Sequence, residues 1–580
     1  MIRPIFRSRR PVVMAALLSA PLFAAAAGAT ELTPAQVKTI VDTFAKDATA
    51  RGEAVGVAVG VVKKNSVVAT SAYGLANVGA KTPFSASTIF EIGSNTKVFT
   101  TALLGLDVVN HHLALDTTLG QLSARVGATQ PLTQTVRLKQ LADFTSGFPD
   151  YAPRCSTPKS PGCLPSSRPP ASVYTVADFL DFFQNTVPMN YQDTPPGQLK
   201  KLPAPYVYSD FSVGLLGLIL ANSTGAIRGG AVDAWFDRVS DDVLTPLTMS
   251  STYLNVPSSV PPDRIAAGYN LATATAHVFT TGPKQGEIKS ISVGASGGSY
   301  AAAPTVTISG GGGHGAVASA EISNGAVTSI VVTNPGADYI PPPSIVFNNG
   351  GASTEAKARA IISGGKVVAV TVEDGGVGYT QAPTVTISGG RSASGSDATG
   401  TAHIANGVVT AVTVGDGGSG YLPPLQVVVA PPAGGTNVIP VWAPAGALVS
   451  TVDDLDNFAM AAIGEPTVDG KSVPSALTAA FKMAEEPYAC YGSNPMLTDC
   501  PASTTRSALS WEVIPADTVG NDTTPKIVTK NGGLTGFSSQ ILLVPSDHLA
   551  VVVLMSADIA SAPAATLAKQ IAYALIYAGE

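Results

Sequence analysis

The chain has 580 residues, more than one minimal core needs, and its length accommodates two to four domains. It is 45% hydrophobic but only 13% charged, with 58 glycines and 44 prolines, a balance that points to turn-rich β structure. The net charge of −6 leaves no basic excess for a nucleic-acid or anionic-lipid surface.

Arg3, Arg7, Arg9 and Arg10 form a basic head, Pro11 to Ala27 is apolar and Ala-rich, and Ala27-Gly28-Ala29 fits a small-residue cleavage site. Residues 1–29 are therefore expected to be a signal peptide, and the mature protein periplasmic or secreted. Losing those four of the 34 basic residues leaves 30 against 40 acidic ones, a net charge of −10. Beyond the leader no run reaches about 18 uninterrupted apolar residues, so no membrane span is expected in the mature chain. Thr33-Pro34-Ala35-Gln36 is a capping box, and Val37, Ile40, Val41 and Phe44 continue it at helical spacing. Val55, Val57, Val59 and Val61, the break at Lys64-Asn65, and then Val67-Val68 predict a β-hairpin.

The segment Glu91-Ile92-Gly93-Ser94-Asn95-Thr96-Lys97 runs into Val98, Phe99, Ala102, Leu103, Leu104, Leu106 and Val108, apolar on nearly every face. That predicts a buried helix with Ser94 in its first turn and Lys97 on the same face, within reach of the Ser94 hydroxyl. Ser-x-x-Lys recurs at Ser156–Lys159 in a proline-rich loop and at Ser363–Lys366 in a hairpin turn, and neither opens a buried helix. Cys155 with Cys163, and Cys490 with Cys500, are two local pairs suited to disulfides in an oxidising compartment. Tyr206-Val207-Tyr208-Ser209-Asp210 precedes the apolar run Leu215–Leu220, and a tyrosine there, beside lysines, is suited to shuttling a proton.

From 284 to 432 the sequence changes in kind. Tyr300, Tyr339, Tyr379 and Tyr421 recur about every 40 residues, each followed by a proline-led strand, and Asn324-Gly325, Gly364-Gly365 and Asn406-Gly407 mark hairpin turns. This segment reads as inserted β repeats that pack mainly on one another and offer a cell-wall or polysaccharide contact. The interrupted domain resumes at 433. Near its end, Ile527-Val528-Thr529-Lys530-Asn531-Gly532-Gly533 is an extended run that delivers a lysine and then two glycines. Gly294-Ala295-Ser296-Gly297-Gly298 matches a hydrolase elbow by letter but has no helix after it. The six histidines show no metal spacing, so neither metal nor cofactor is expected.

Together the Ser94, Tyr208 and Lys530 motifs resemble the serine β-lactamase and penicillin-binding-protein family, nearest its branch of class C β-lactamases, DD-peptidases and lactamase-fold esterases. Leu141–Asp150 and Leu244–Met249 resemble further segments of that branch. The resemblance covers 30–283 and 433–580. It implies an α+β fold: an antiparallel sheet flanked by helices, a mostly helical subdomain, and the all-β insertion. It implies Ser94 as nucleophile, Lys97 as its partner, Tyr208 as proton shuttle, and Lys530 as carboxylate anchor, with the Ser94 and Gly533 amides as oxyanion hole and Asp210, Asn531 and Gly532 near the substrate. The implied substrates are β-lactams or D-Ala-D-Ala peptides, with small esters or a wall-binding protein carrying a relic site as alternatives. Asp210 departs from the family's Asn. A carboxylate accepts but cannot donate, and beside Lys97 it favours the charged amine, so β-lactam turnover is expected to suffer more than acyl transfer itself.

Overall fold

The computed structural model describes residues 31–150, 176–185, 202–269 and 442–578, apart from short breaks, and most of 272–429. The leader, Cys155, Cys163, the Ser156–Lys159 motif, Tyr300 and Tyr339 lie outside the described residues.

Helix α1 (Pro34–Ala50) begins at the expected capping box. The Thr33 hydroxyl accepts from the Gln36 amide, the Gln36 side chain reaches back to the Thr33 amide, and Val37, Ile40, Val41 and Phe44 are buried. Strands β1 (Gly56–Lys63) and β2 (Ser66–Asn77) form the expected hairpin. With β3 (Thr82–Pro83) they join six strands from the far end of the chain: β4 (Ala489–Cys490), β5 (Arg506–Ser507), β6 (Glu512–Ile514), β7 (Ile527–Leu534), β8 (Phe537–Val544) and β9 (Leu549–Ser556). The order is β4-β5-β6-β7-β8-β9-β1-β2-β3, with antiparallel pairing of β1 against β9 from Gly56↔Ser556 to Lys63↔Leu549.

β1 is buried on both faces although its sequence alternates between valines and small residues. Val57, Val59 and Val61 face α1 and the C-terminal helix, while Ala58 and Val62 face the larger core on the other side. Helices cover both sides of this antiparallel sheet, which removes the usual solvent face.

Helix α2 (Thr96–Val109) runs through that larger core, with every residue from Thr96 to Asp107 buried. Gly105 lets it approach helix Ser475–Ala484, because a Cβ there would stand 2.8 Å from the Cβ of Ala480. Truncating Phe99, which is fully buried and 4.4 Å centroid to centroid from Phe458, costs about 3–5 kcal/mol by loss of contacts and cavity formation. Beside α2 stand α3 (Val176–Asn185), α4 (Asp210–Leu220) and α5 (Ala231–Val239), which make up the helical part. The Ser209 side chain caps α4 by accepting from Ser212 N–H at 2.9 Å. Phe211 stacks on Phe179 at 4.5 Å, and Gly217 makes room for Pro444.

Residues 272–429 form two six-stranded sheets. The proline-led segments supply strands Val306–Ser309, Ser344–Asn348, Thr384–Ser388 and Gln426–Val429, and paired strands flank each expected hairpin turn. Gly364 and Gly365 both take left-handed φ values, 57° and 73°, as a two-residue hairpin turn of this kind requires. Tyr379 and Tyr421 are buried, and each hydroxyl accepts a backbone N–H 23 residues upstream, from Ala356 and Ala398, both at 2.8 Å. The first sheet also takes in strand Ala272–Val278, upstream of residue 284, which pairs with both Ile288–Ser296 and Gln426–Val429.

The second sheet does not pack only on itself. Ile361 and Ala369 join the core formed by α1, β1 and the C-terminal helix Pro563–Ala578. Arg359 reaches Asp47 at 2.9 Å, and His403 stacks on Tyr577 at 3.9 Å. Alternation in the repeat strands announces a buried face but does not say what covers it. Here one cover is the α1 side of the main sheet.

Candidate active site

The turn that carries Ser94 is a short 3₁₀ segment, Gly93–Asn95, directly before α2. It is held from two directions. Ser539 on β8 accepts from Asn95 Nδ2 at 2.7 Å and donates to the Ile92 carbonyl at 2.7 Å. On the other side, the segment Ala443–Ser450 lies along the turn and α2. Ile92 N–H donates to Leu448 O at 3.1 Å, Leu448 N–H donates to Thr96 Oγ1 at 3.1 Å, and Thr100 Oγ1 donates to Pro444 O at 2.6 Å. Gly93 has φ 52°, a left-handed value, and a Cβ on it would stand 2.7 Å from the Gly533 nitrogen. The serine turn and the Gly533 backbone thus touch without an intervening side chain.

Lys97 is fully buried. Its Nζ donates to Ser94 Oγ at 2.9 Å, to Ala445 O at 2.7 Å, and to the Asp210 carboxylate, so all three ammonium donors are engaged. Burial lowers its pKa from the ordinary lysine value, while the Asp210 and Asp150 carboxylates oppose that shift. The expectation that Asp210 favours the charged amine stands, but desolvation is the larger influence.

The Ser94 hydroxyl acts to lower the pKa of Tyr208, at the entry to α4. Lys97 Nζ lies 4.8 Å from its ring centroid and Lys530 Nζ 5.2 Å. Burial and the Asp210, Asp150 and Glu512 charges nevertheless push its pKa well above the ordinary phenol value, so the phenol is neutral. Lys530, buried on β7, donates to Asn531 O at 2.7 Å and Asn531 Oδ1 at 3.1 Å. Burial first, and then the Lys97 charge, push it down to about 7, against Glu512 and Asp210.

Ser94, Lys97, Tyr208, Asp210, Lys530 and Asn531 therefore come together, and Gly533 borders the serine turn. Gly532 meets that turn rather than open space, since a Cβ there would lie 2.0 Å from Ile92 O and 2.4 Å from Ser539 Oγ. The Ser363–Lys366 pair sits at an exposed hairpin turn, and Ser296 ends strand Ile288–Ser296. Of the cysteines in the described residues, Cys490 and Cys500 form a disulfide. Among the described residues no group of three or more His, Cys, Asp or Glu side chains is arranged to hold a metal ion. No described helix is long and apolar enough to cross a membrane.

Three contributors carried no sequence signal of their own. The Ala445 carbonyl is backbone, far away in the chain. Phe144, with its ring 4.7 Å from that of Tyr208, holds a left-handed φ of 64°, an uncommon conformation for a bulky residue. Asp150, inside a segment matched by resemblance, accepts from Asp210 N–H at 3.3 Å, and burial and Asp210 push its carboxyl up to about 6.

The arrangement provides a hydroxyl bonded to an amine, beside a phenol ring and a second amine, with the Gly533 backbone against the serine turn. Comparison with known proteins agrees with this composition. The family model described as Beta-lactamase matches residues 41–335, which include Ser94, Lys97 and Tyr208, with Lys530 beyond the match. A beta-lactamase of Pseudomonas fluorescens is 25% identical over 224 residues, 38% of this chain, and the chain spans about half (52%) of that relative's length. A solved class C beta-lactamase superposes with a TM-score of 0.51 at 15% identity, covering 93% of this chain and 97% of the other. A class C beta-lactamase in complex with cefoxitin gives 0.50 at 14% identity, covering 93% and 99%. At such identities the two structures show a shared fold, while the family match spans half of the sequence. The chain belongs to the beta-lactamase family.

Proposed function

We propose that this protein is a serine hydrolase that works through an acyl-enzyme on Ser94 and acts on β-lactams or D-Ala-D-Ala peptides. The observation that carries the reading is the 2.9 Å contact of the buried Lys97 Nζ with Ser94 Oγ, with the Tyr208 ring 4.8 Å from the same amine. Ser94 Oγ attacks the substrate carbonyl carbon, and Lys97, in the deprotonated form that burial favours, takes the hydroxyl proton. The Ser94 and Gly533 amides receive the developing oxyanion. Tyr208 gives its proton to the leaving nitrogen and regains one from Lys97. Water then gives up a proton to the same pair and attacks the acyl carbon, which releases the acid and restores Ser94. Lys530 attracts the substrate carboxylate.

A carboxylesterase is the second reading, favoured by one feature. Lys530 spends donors on Asn531 and sits near pKa 7, and the Asp210 carboxylate lies close to it, which makes a modest anion anchor. Export is part of the proposal and is supported by the Cys490–Cys500 disulfide. So is the division into a hydrolase domain of 30–283 and 433–580 interrupted by 284–432, supported by the pairing Val428↔Thr273 that brings the end of the repeat segment back to the chain just ahead of its start. The test compares kcat/KM for a penicillin, a D-Ala-D-Ala peptide and a p-nitrophenyl ester in wild type, Lys97→Ala and Lys530→Ala. Lys97→Ala is expected to lose all three, and Lys530→Ala to lose the two carboxylate-bearing substrates. Equal losses on all three in Lys530→Ala contradict the anchoring role.

A further inference from the structure

We infer that Ser539 is a positioning residue for the serine turn: from β8 its hydroxyl ties that turn to the main sheet and so sets the separation of the Ser94 and Gly533 amides. The inference rests on the proposed acyl transfer at Ser94 and deepens it, since it names what holds the two halves of the oxyanion hole in register.

Ser539 stands opposite Gly532 in the β7–β8 pairing, and Ser538 stands opposite Gly533. Side chains of a cross-strand pair share one face of the sheet, so the Ser539 hydroxyl rises beside Gly532 on the face that meets the serine turn. A Cβ on Gly532 would lie 2.4 Å from Ser539 Oγ, 2.0 Å from Ile92 O and 3.0 Å from Asn95 N. Those three atoms converge over bare backbone, and any side chain at Gly532 would part them.

The hydroxyl acts in both directions. It donates to Ile92 O at 2.7 Å and accepts from Asn95 Nδ2 at 2.7 Å. Ile92 O also accepts from Asn95 N–H at 3.2 Å. The two bonds therefore land on either side of Ser94, two residues before it and one residue after. Ile92, Asn95 and Ser539 are buried, so the place of a lost bond is closed to solvent. Asn95 Oδ1 is buried without a hydrogen-bond partner, so the Asn95 side chain is fixed through Nδ2 and Ser539.

The close approach of Gly93 to the Gly533 nitrogen keeps the turn from coming nearer, but it does not draw the two together. The Ser539 bonds supply that attraction. Without them the turn keeps its bonds to Leu448 on the other side and is free to drift from Gly533. Oxyanion donors work only at hydrogen-bond distance from where the charge develops, so such a drift costs the transition state more than the bound substrate.

Turnover of a p-nitrophenyl ester by the full-length protein and the dissociation constant of phenylboronic acid test this. The boron accepts the Ser94 oxygen as its fourth ligand and sets an oxygen where the oxyanion forms, so it reports the oxyanion hole without turnover. Ser539→Ala is expected to lower kcat roughly tenfold or more with KM within about twofold, and to weaken phenylboronic acid by a similar factor. Asn95→Ala breaks one of the two bonds and is expected to lower kcat about threefold or more, and the double variant to lose no more than Ser539→Ala alone. If Ser539→Ala does not melt cooperatively, Asn95→Ala carries the test by the same two readouts. The inference is overturned by kcat and boronate affinity that both stay within about twofold of wild type, by a loss that falls on KM alone, or by single losses that multiply in the double variant. Fluorophosphonate labelling that persists in Ser94→Ala overturns the underlying site reading instead, so the two failures are distinguishable.

Discussion

Asp210 and Lys97 form an ion pair inside the site, with the lysine side chain fully buried and the carboxylate side chain 14% exposed. Asp210→Asn removes the anion that opposes burial, so the lysine pKa falls further. The acid limb of Ser94 acylation is expected to move to lower pH. The new amide also regains a donor for a substrate carbonyl, so β-lactam acylation should rise several-fold relative to ester acylation. Stopped-flow acylation across pH 5–9 measures both, and an unmoved limb with an unmoved ratio contradicts the role assigned to the pair.

Gly93 is a second sensitive point. Its φ of 52° and the 2.7 Å approach of the Gly533 nitrogen leave no room for a methyl group. Gly93→Ala is expected to push the serine turn away from Gly533 and to cut kcat by about 100-fold or more, as loss of an oxyanion donor does. Circular dichroism should show a folded protein. Near-normal kcat in that variant would remove Gly533 from the proposed oxyanion hole.

Away from the site, Glu485 is buried, its Oε1 has no hydrogen-bond partner, and burial pushes its carboxyl up to about 8, with Lys526 opposing and Glu486 reinforcing. An acid whose folded pKa lies above its unfolded one binds more protons when folded. Its contribution to stability is therefore full below about pH 4.5 and is lost as pH rises toward 8. Glu485→Gln is expected to leave stability nearly unchanged near pH 4.5 and to raise it by about 1–3 kcal/mol at pH 8. Urea melts at the two pH values decide it, and a gain of equal size at both would contradict the titration.

The repeat sheet that rests on α1 and the C-terminal helix should matter for stability and not for turnover. Arg359→Ala and His403→Ala remove the Asp47 contact and the Tyr577 stack. Each is expected to lower Tm by about 1–3 °C with kcat/KM within about twofold of wild type. Loss of kcat/KM without a change in Tm would mean that the repeats help to build the site.

What the sequence disclosed was local. Ser94 and Lys97 stand one helical turn apart, so an i, i+3 spacing before an apolar run is sufficient to pair them. The Gly364-Gly365 hairpin turn was legible because glycine at positive φ leaves a mark in the letters. The third partner of Lys97 is a carbonyl of Ala445, 348 residues away, and a backbone acceptor has no letter. The left-handed Phe144, whose ring packs against Tyr206 and Tyr208, is equally silent. Burial of both faces of β1 depends on helices from opposite ends of the chain, which periodicity within eight residues cannot express.

The most direct measurement is intact mass after exposure to a β-lactam and, separately, to a fluorophosphonate. Wild type is expected to gain one adduct with each, peptide mapping is expected to place it on Ser94, and Ser94→Ala is expected to gain none. An adduct that survives in Ser94→Ala, or maps to another residue in wild type, contradicts Ser94 as the nucleophile.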